Sequence, residues 1–354
     1  MLFAARTASG GGFDMALFVR SVDPKAMQSL RALAQAPRDN WWKQLLAEWR
    51  PSGQGLGLRL AIRENTIDFY CDGWRVAHVG FSHAQRDQLP TPYMSTHVKY
   101  LDRANELNKV VKFNAPGDDA ILTHDGKIFS IGEIIKNIRA RMADIRAGKY
   151  ARKGLEKEGV DRVVGKNATA IDLEIGMSID LSIAQQYPKK DGTPSGAPRI
   201  DIVSLERSPL GANLVFWEAK TLDDPRLRAA DAVISEVITQ MEIYGKYLEN
   251  DERREAIEAA YGETCKKLVE LNEMRPHHEP LDQIVVDVAA GRINPKVDLN
   301  PRLIIFGQKN NKSAFDDTYW KPHATKIVAK GIWATYEVRP DEIDLAAEPR
   351  PIYG

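Results

Sequence analysis

Residues 199–220 read RIDIVSLERSPLGANLVFWEAK. RIDIVSL and ANLVFWEAK are short runs rich in β-branched and aromatic residues, divided by Pro209 and Gly211, which is the composition of two neighbouring strands joined by a turn. Charged side chains stand where apolar neighbours ask for burial: Asp201 in the first run, Glu218 and Lys220 at the end of the second. Burying an ion is costly unless it is paired or binds a metal, so these charges need a reason. Glu218 and Lys220 lie two positions apart on a strand and point to one face, where a hairpin can bring Asp201 beside them.

Working outward, AIDLEIGMSIDLSI from Ala170 to Ile183 predicts a strand before this pair, with a Pro/Gly/Lys-rich loop from Pro188 to Pro198 between. Downstream, Asp224-Pro225 reads as a helix cap. The stripe Leu227, Ala230, Ile234, Val237, Met241, Tyr244 and Leu248 predicts one helix packed on the sheet. Helices over about 251–274 and 280–290, the strand RLIIFGQ, a helix from His323 to Lys330 stopped by Gly331, and a last strand WATYEV complete an α/β unit, residues 166–354.

The first part of the chain, residues 1–95, reads as a separate α+β module around its own core. Asp23-Pro24 opens a helix to about Ala36, and NWWKQLLAEW continues as a second, with Trp41, Trp42 and Trp49 in the core. Alternation from Leu58 to Asp72, interrupted at Glu64-Asn65, predicts a β-hairpin with one wet face that could contact nucleic acid or a partner chain. Residues 96–165 read as a helical, basic connecting segment, with a helix from Tyr100 to Lys112 and another launched by the capping box Ser130 and Glu133. From Lys136 to Lys166 there are ten basic residues against four acidic ones, an excess that can follow a phosphate backbone or simply form a solvated helix face.

Composition narrows the class. The 354 residues are 43% hydrophobic and 28% charged, and Lys plus Arg equals Asp plus Glu at 49 each, so the whole chain does not advertise a polyanion partner. No apolar run reaches the length of a membrane span, the start shows no secretory h-region, and SGGG at Ser9 to Gly12 reads as a flexible leader; a cytoplasmic location is the expectation. Cys71 and Cys265 are too isolated for a zinc site.

Asp201, Glu218 and Lys220 together suit phosphodiester hydrolysis. Two carboxylates can hold a hard divalent cation, Mg²⁺ being the natural choice and Mn²⁺ a substitute, while Lys220 orients or deprotonates the attacking water. A cross-strand ion pair without catalysis satisfies the same spacing. What separates the two is the order of features: an acid on a helix or strand, Pro198-Arg199-Ile200-Asp201, Glu218-Ala219-Lys220, then Gln240 and Tyr244 one helical turn apart. That order, over roughly Tyr150 to Leu248, resembles the RecB-like branch of the PD-(D/E)xK nucleases.

The resemblance implies a restriction-endonuclease-like core, a mixed central sheet flanked by helices. It further implies metal binding by Asp201, Glu218 and the Ala219 carbonyl, and a site shaped by Gln240 and Tyr244. The remaining acid is ambiguous: Glu174 ranks first because apolar residues flank it, then Glu156, then Glu158. The implied activity is a Mg²⁺-dependent deoxyribonuclease, DNA being favoured over RNA, with no membrane and with a homo-oligomer or partner protein as restraint. A free-standing nuclease with an unfamiliar front domain resembles prokaryotic enzymes that defend against foreign DNA. The rival expectation is a catalytically silent, nuclease-like binding subunit of a larger complex. His277, His278 and His323 read as solvated or packed, and Gly53 to Gly57 as turn chemistry.

Overall fold

A computed structural model describes residues 18–51, 57–82, 88–101, 109–114, 122–147, 155–177, 180–187, 193, 197, 199–209, 211–229, 234–307 and 320–347. The leader Ser9–Gly12, most of the 188–198 loop including Pro198, and the basic residues Lys149, Arg152 and Lys153 lie outside them, as does the glycine-rich stretch apart from Gly57.

The chain opens with α1 (Pro24–Gln35) and α2 (Trp41–Glu48), capped by Asp23 and Asn40, whose side chains accept backbone N–H groups of the first turns. An antiparallel sheet follows in sequence order: β1 (Arg59–Arg63), β2 (Thr66–Cys71), β3 (Trp74–Phe81), β4 (Pro92–His97) and, after the single turn α3 (Val98–Leu101), β5 (Val110–Asn114). Asp72 (φ 48°) and Gly73 (φ 73°) form the β2–β3 turn with both residues left-handed, the geometry whose twist matches paired strands. A small hairpin, β6 (Leu122–His124) and β7 (Lys127–Phe129), precedes α4 (Ile131–Arg146) and α5 (Leu155–Lys166). The Ser130–Glu133 capping box is present at the start of α4.

The second sheet has the order β13-β12-β10-β9-β8, with β11 also on β10. Its strands are β8 (Ala170–Gly176), followed by the short α6 (Leu181–Gln186), then β9 (Arg199–Ser208) and β10 (Gly211–Thr221), which form an antiparallel meander. A 3-10 turn at Pro225–Leu227 leads to α7 (Glu236–Leu248), α8 (Asp251–Glu273) and α9 (Gln283–Ala289). Then β11 (Pro295–Val297) and β12 (Arg302–Phe306) run parallel to β10, and after α10 (Lys321–Ala329) the edge strand β13 (Ala334–Glu337) runs parallel to β12. The molecule is thus a mixed α/β fold, with one antiparallel and one mixed sheet flanked by helices. Among the described residues no helix is long and apolar enough to cross a membrane.

The apolar run Leu214–Trp217 makes β10 the centre of its sheet. It is buried on both faces and hydrogen-bonded along both edges. α5 covers one face through Val160, Val163 and Val164; Tyr261 of α8 stacks on Phe216 on the other. At Gly159 an added Cβ would meet the Phe306 ring at 2.1 Å, so glycine lets α5 close directly on β12.

Several expectations are corrected. One apolar cluster runs from Val22 to Tyr336 through both sheets, so the separate front core is absent. The boundary near 95 falls inside β4, and Val110–Asn114 pairs with β4 as a strand where a helix to Lys112 was expected, because its apolar Phe113 reaches the core and its β-branched residues suit an edge. Residues 96–165 are no independent connector: α4 buries its isoleucines beside the first sheet and α5 its valines against the second. The β1–β2 hairpin has no wet face. Arg59 is 5% exposed and meets Asp161, and Arg63 meets Asp172, so these cations are spent inside the molecule and are not offered to a partner. The strand expected from Ala170 to Ile183 ends at Gly176, and Asp180 caps the short helix α6 over its expected last part. The long helix expected from Asp224 starts only at Glu236; Leu227 belongs to the 3-10 turn, Ala230 lies outside the described residues and Ile234 is half exposed.

Asp172 on β8 ties the two halves together. Its carboxylate, 2% exposed, accepts from Arg20 Nε (3.2 Å), Arg63 Nη1 (2.5 Å) and Tyr261 OH (3.0 Å), which come from the N-terminal segment, the first sheet and α8. Breaking such a pair leaves buried guanidinium groups uncompensated. Asp172→Asn is therefore expected to lower unfolding free energy by about 3–5 kcal/mol, read from denaturant titration; a loss under about 1 kcal/mol would show that these contacts are incidental.

Candidate active site

Pairing of β9 with β10 stops at Trp217 opposite Ile202. Continued one step, the same register sets Asp201 opposite Glu218, but there the strands part and the Asp201 side chain takes over the ladder's role. Its Oδ2 accepts the Ala219 N–H at 2.8 Å. On its other edge β10 remains paired, Glu218 beside Leu303 and Lys220 beside Ile305, so both charged residues are held on a rigid central strand. Glu218 is 3% exposed and Lys220 1%.

This burial is tolerated because both oxygens of Glu218 and the Lys220 ammonium have hydrogen-bond partners. Lys220 Nζ donates to Glu218 Oε1 and to the Ala219 carbonyl (2.9 Å). Gln240 Nε2 donates to the same Glu218 oxygen (2.9 Å) and to Tyr244 OH (2.5 Å), while Tyr244 OH lies 2.9 Å from Glu218 Oε2 and also against the Arg199 carbonyl. A hydroxyl has one hydrogen, so Tyr244 donates to one of these two oxygens at a time. The four-residue spacing on α7 presents Gln240 and Tyr244 together, and they fix both oxygens of Glu218.

The electrostatics follow from packing carboxylates around one ammonium. Burial, reinforced by the neighbouring Glu218 and opposed by Lys220, pushes Asp201 up to about 8. Glu218 is also raised, first by burial, against the pull of Lys220. Glu156, in the first turn of α5, is pushed up to about 7 by burial; the charges that act on it most are Lys220, which lowers it, and Asp201, which raises it. Burial likewise raises the Tyr244 phenol.

The structure thus brings Asp201, Glu218, Ala219, Lys220, Gln240 and Tyr244 together and gives each of the three ambiguous acids a cationic partner, while the charge of Glu174 also acts on Asp201. Glu174 falls opposite Asp201 in register, between the pairs Leu173–Ile202 and Ile175–Ile200. Its backbone, however, is left-handed (φ 54°), which breaks the strand's alternation, and its carboxylate is bonded to Lys157 Nζ at 2.9 Å. Glu158 is buried away from this cluster on Arg162 (2.7 Å) and Arg146 (3.5 Å). Glu156 is the helical acid that feels both Lys220 and Asp201. Of the histidines, His278 Nδ1 lies 3.0 Å from the Asn272 carbonyl and His323 packs near Trp320.

Two residues at the site were not singled out from sequence. Arg226 makes a forked contact with Asp224 (Nε at 3.0 and 3.1 Å, Nη2 at 2.6 Å) and reaches Glu156 Oε2 at 3.1 Å. Burial opposes ionisation of Asp224, but bonds to Arg226 hold it below the usual carboxylate range. The only signal was Asp224-Pro225-Arg226 soon after the Glu-Ala-Lys run, and a helix cap explained it as well.

Among the described residues no three His, Cys, Asp or Glu side chains are arranged to hold a metal. The donor set at the strand fork is two carboxylates plus the Ala219 carbonyl, all oxygens, with one ammonium among them, which leaves one net negative charge when both carboxylates are ionised. That chemistry fits a hard divalent ion such as Mg²⁺ with retained waters. No protein family, curated protein or solved structure matches this chain.

A carboxyl group raised in the folded chain stabilises the fold fully below its ordinary pKa, and that contribution is lost as pH rises through the folded value. With Asp201 near 8 and Glu156 near 7, protein in chelator is expected to lose melting temperature as pH rises from about 4 to about 8. Asp201→Asn removes the ion yet keeps an oxygen for the Ala219 N–H, so it should flatten the fall and melt at or above wild type near pH 8. A variant melting well below wild type there would identify Asp201 as a structural ion-pair partner.

Proposed function

We propose that this chain is a metal-dependent nuclease of the PD-(D/E)xK type, hydrolysing phosphodiester bonds, with DNA favoured over RNA. The observation that carries the reading is the strand fork: Asp201, Glu218, the Ala219 carbonyl and Lys220 converge where β9 leaves β10, and Gln240 and Tyr244 lock Glu218 from α7. An ordinary ion pair would not need two further side chains to fix both oxygens of its carboxylate. The element order α5, β8, β9, β10, α7, β12 supports a restriction-endonuclease-like core.

In this reading Asp201, Glu218 and the Ala219 carbonyl hold a Mg²⁺ or Mn²⁺ ion. A bound divalent cation supplies positive charge to the phosphate oxygens and an activated water at neutral pH. The chain's own residues do the rest. Gln240 and Tyr244 keep Glu218 from rotating. Lys220, next to the Ala219 carbonyl, orients the attacking water. Glu156, bonded to Arg226, and Glu174, bonded to Lys157, are the two further acids whose charges act on this cluster. Defence against foreign DNA is the biological role that accompanies this reading.

The test is incubation of purified protein with linear, circular and single-stranded DNA and with RNA, in Mg²⁺, Mn²⁺ or chelator. Cleavage should require the cation, and Lys220→Ala and Asp201→Asn should each lose about 10²–10⁴-fold in rate. Binding of nucleic acid without cleavage by wild type would favour the silent subunit; equal products from wild type and both variants would exclude this site.

A further inference from the structure

The first sheet buries one face in the common core through Ile67, Phe69, Val79, Met94 and Phe113. On its other face α5 packs against β1 and β2, where Ala61 and Tyr70 meet the valines of that helix. The remainder of this second face, on β3, β4 and β5, is partly open. β4 alternates strictly, with Pro92, Met94 and Thr96 buried and Tyr93, Ser95 and His97 partly exposed, while Lys112 and Asn114 of β5 are exposed.

Two rows of side chains cross the open part. Register aligns Asp68, His78, Ser95 and Lys112 on successive strands, and beside them Gly80, Tyr93 and Asn114. Tyr93 leans over Gly80: a Cβ there would meet its hydroxyl at 2.6 Å and its ring at 2.7 Å, so the glycine makes room for the ring on the neighbouring strand. Lys112 Nζ lies 3.6 Å from the centre of the same ring. His78 is held through Nδ1 on Asp68 Oδ1 (2.7 Å), and Arg75 Nη1 reaches the other Asp68 oxygen at 3.5 Å.

The charge of this face has one sign. β3, β4 and β5 contain no aspartate or glutamate, whereas Arg75, His78, His97 and Lys112 stand on them, although the whole chain is neutral. Asp68 on β2 is 4% exposed and already bonded to His78 and Arg75. Such a local excess suits a polyanion. The ring decides which one. Bases in a duplex are stacked on one another and show no free face, whereas unpaired bases stack on aromatic side chains of a sheet while cations follow the phosphates. An exposed ammonium is held only weakly on a tyrosine ring, so a base can replace it and leave Lys112 for the adjoining phosphate.

We propose that the open face of β3, β4 and β5 binds single-stranded nucleic acid, with a base stacked on Tyr93 and the backbone followed by Lys112 and Arg75. Binding here needs no cation at the strand fork.

The measurement is fluorescence anisotropy of labelled oligothymidylate, oligouridylate and a DNA duplex of equal length, titrated with the full chain in chelator over a range of salt. Wild type, Tyr93→Phe, Tyr93→Leu and Lys112→Ala are compared, beside their melting curves. At least one single strand should bind more tightly than the duplex. Tyr93→Leu, which covers Gly80 without a ring, should weaken it about 5–100-fold, and Tyr93→Phe should bind as wild type does. Lys112→Ala should weaken binding and lower the slope of log affinity on log salt by about 0.7. If Tyr93→Leu melts well below wild type, the exposed Lys112→Ala decides. No binding by wild type, preference for duplex, or wild-type affinity in both Tyr93→Leu and Lys112→Ala would overturn the proposal. Poly-glutamate competing as well as the oligonucleotide would overturn it too, marking a docking place for an acidic protein. Failure of the strand-fork reading looks different: wild type would bind single strands in this way and cleave nothing in Mg²⁺.

Discussion

A charged pair lies on a buried central strand, and the surroundings of β10 answer to that constraint. Glu218 and Lys220 follow directly on the apolar run that makes β10 central, so neither can reach solvent without breaking pairing with β12. An isolated buried carboxylate would cost several kcal/mol, and its pairing with an ammonium offsets this only when the remaining lone pairs and hydrogens are satisfied. Gln240, Tyr244 and the Ala219 carbonyl satisfy them, and Asp201 closes the strand end by accepting the amide that β9 no longer reaches. At the parting of β9 and β10 a side chain thus takes the place of backbone pairing.

Around this strand the fold is arranged so that helices deliver single residues. α5 covers one face with valines and, because Gly159 allows close approach to Phe306, brings its first turn over the strand ends, where Glu156 meets Arg226. α8 packs Tyr261 against Phe216 on the other face, and α7 contributes Gln240 and Tyr244 from adjacent turns. The first sheet takes no part in these contacts. It is joined to the second by Asp172, whose two arginines come from Arg20 and β1, and by an apolar cluster common to both sheets. The basic hairpin that looked available for a partner is the inner wall of this junction.

The sequence by itself determined the local elements and most of the candidate site. Alternation and turn residues placed β9 and β10, caps placed α1, α2 and α4, and the two-residue spacing of Glu218 and Lys220 on a strand, with the four-residue spacing of Gln240 and Tyr244 on a helix, put each pair on one face because strand and helix periods are fixed by backbone geometry. Tertiary structure alone decided matters that depend on which surfaces meet. Arg59 and Arg63 look the same in sequence whether they face water or Asp161 and Asp172. Glu174 has apolar neighbours like those of Glu218, yet its backbone is left-handed and its carboxylate is bonded to Lys157, and neither leaves a trace in spacing. Glu156 and Arg226 are 70 residues apart and meet only because α5 crosses the end of β10. Periodicity encodes the direction of a side chain relative to its own element, whereas its partner is set by packing between elements distant in the chain.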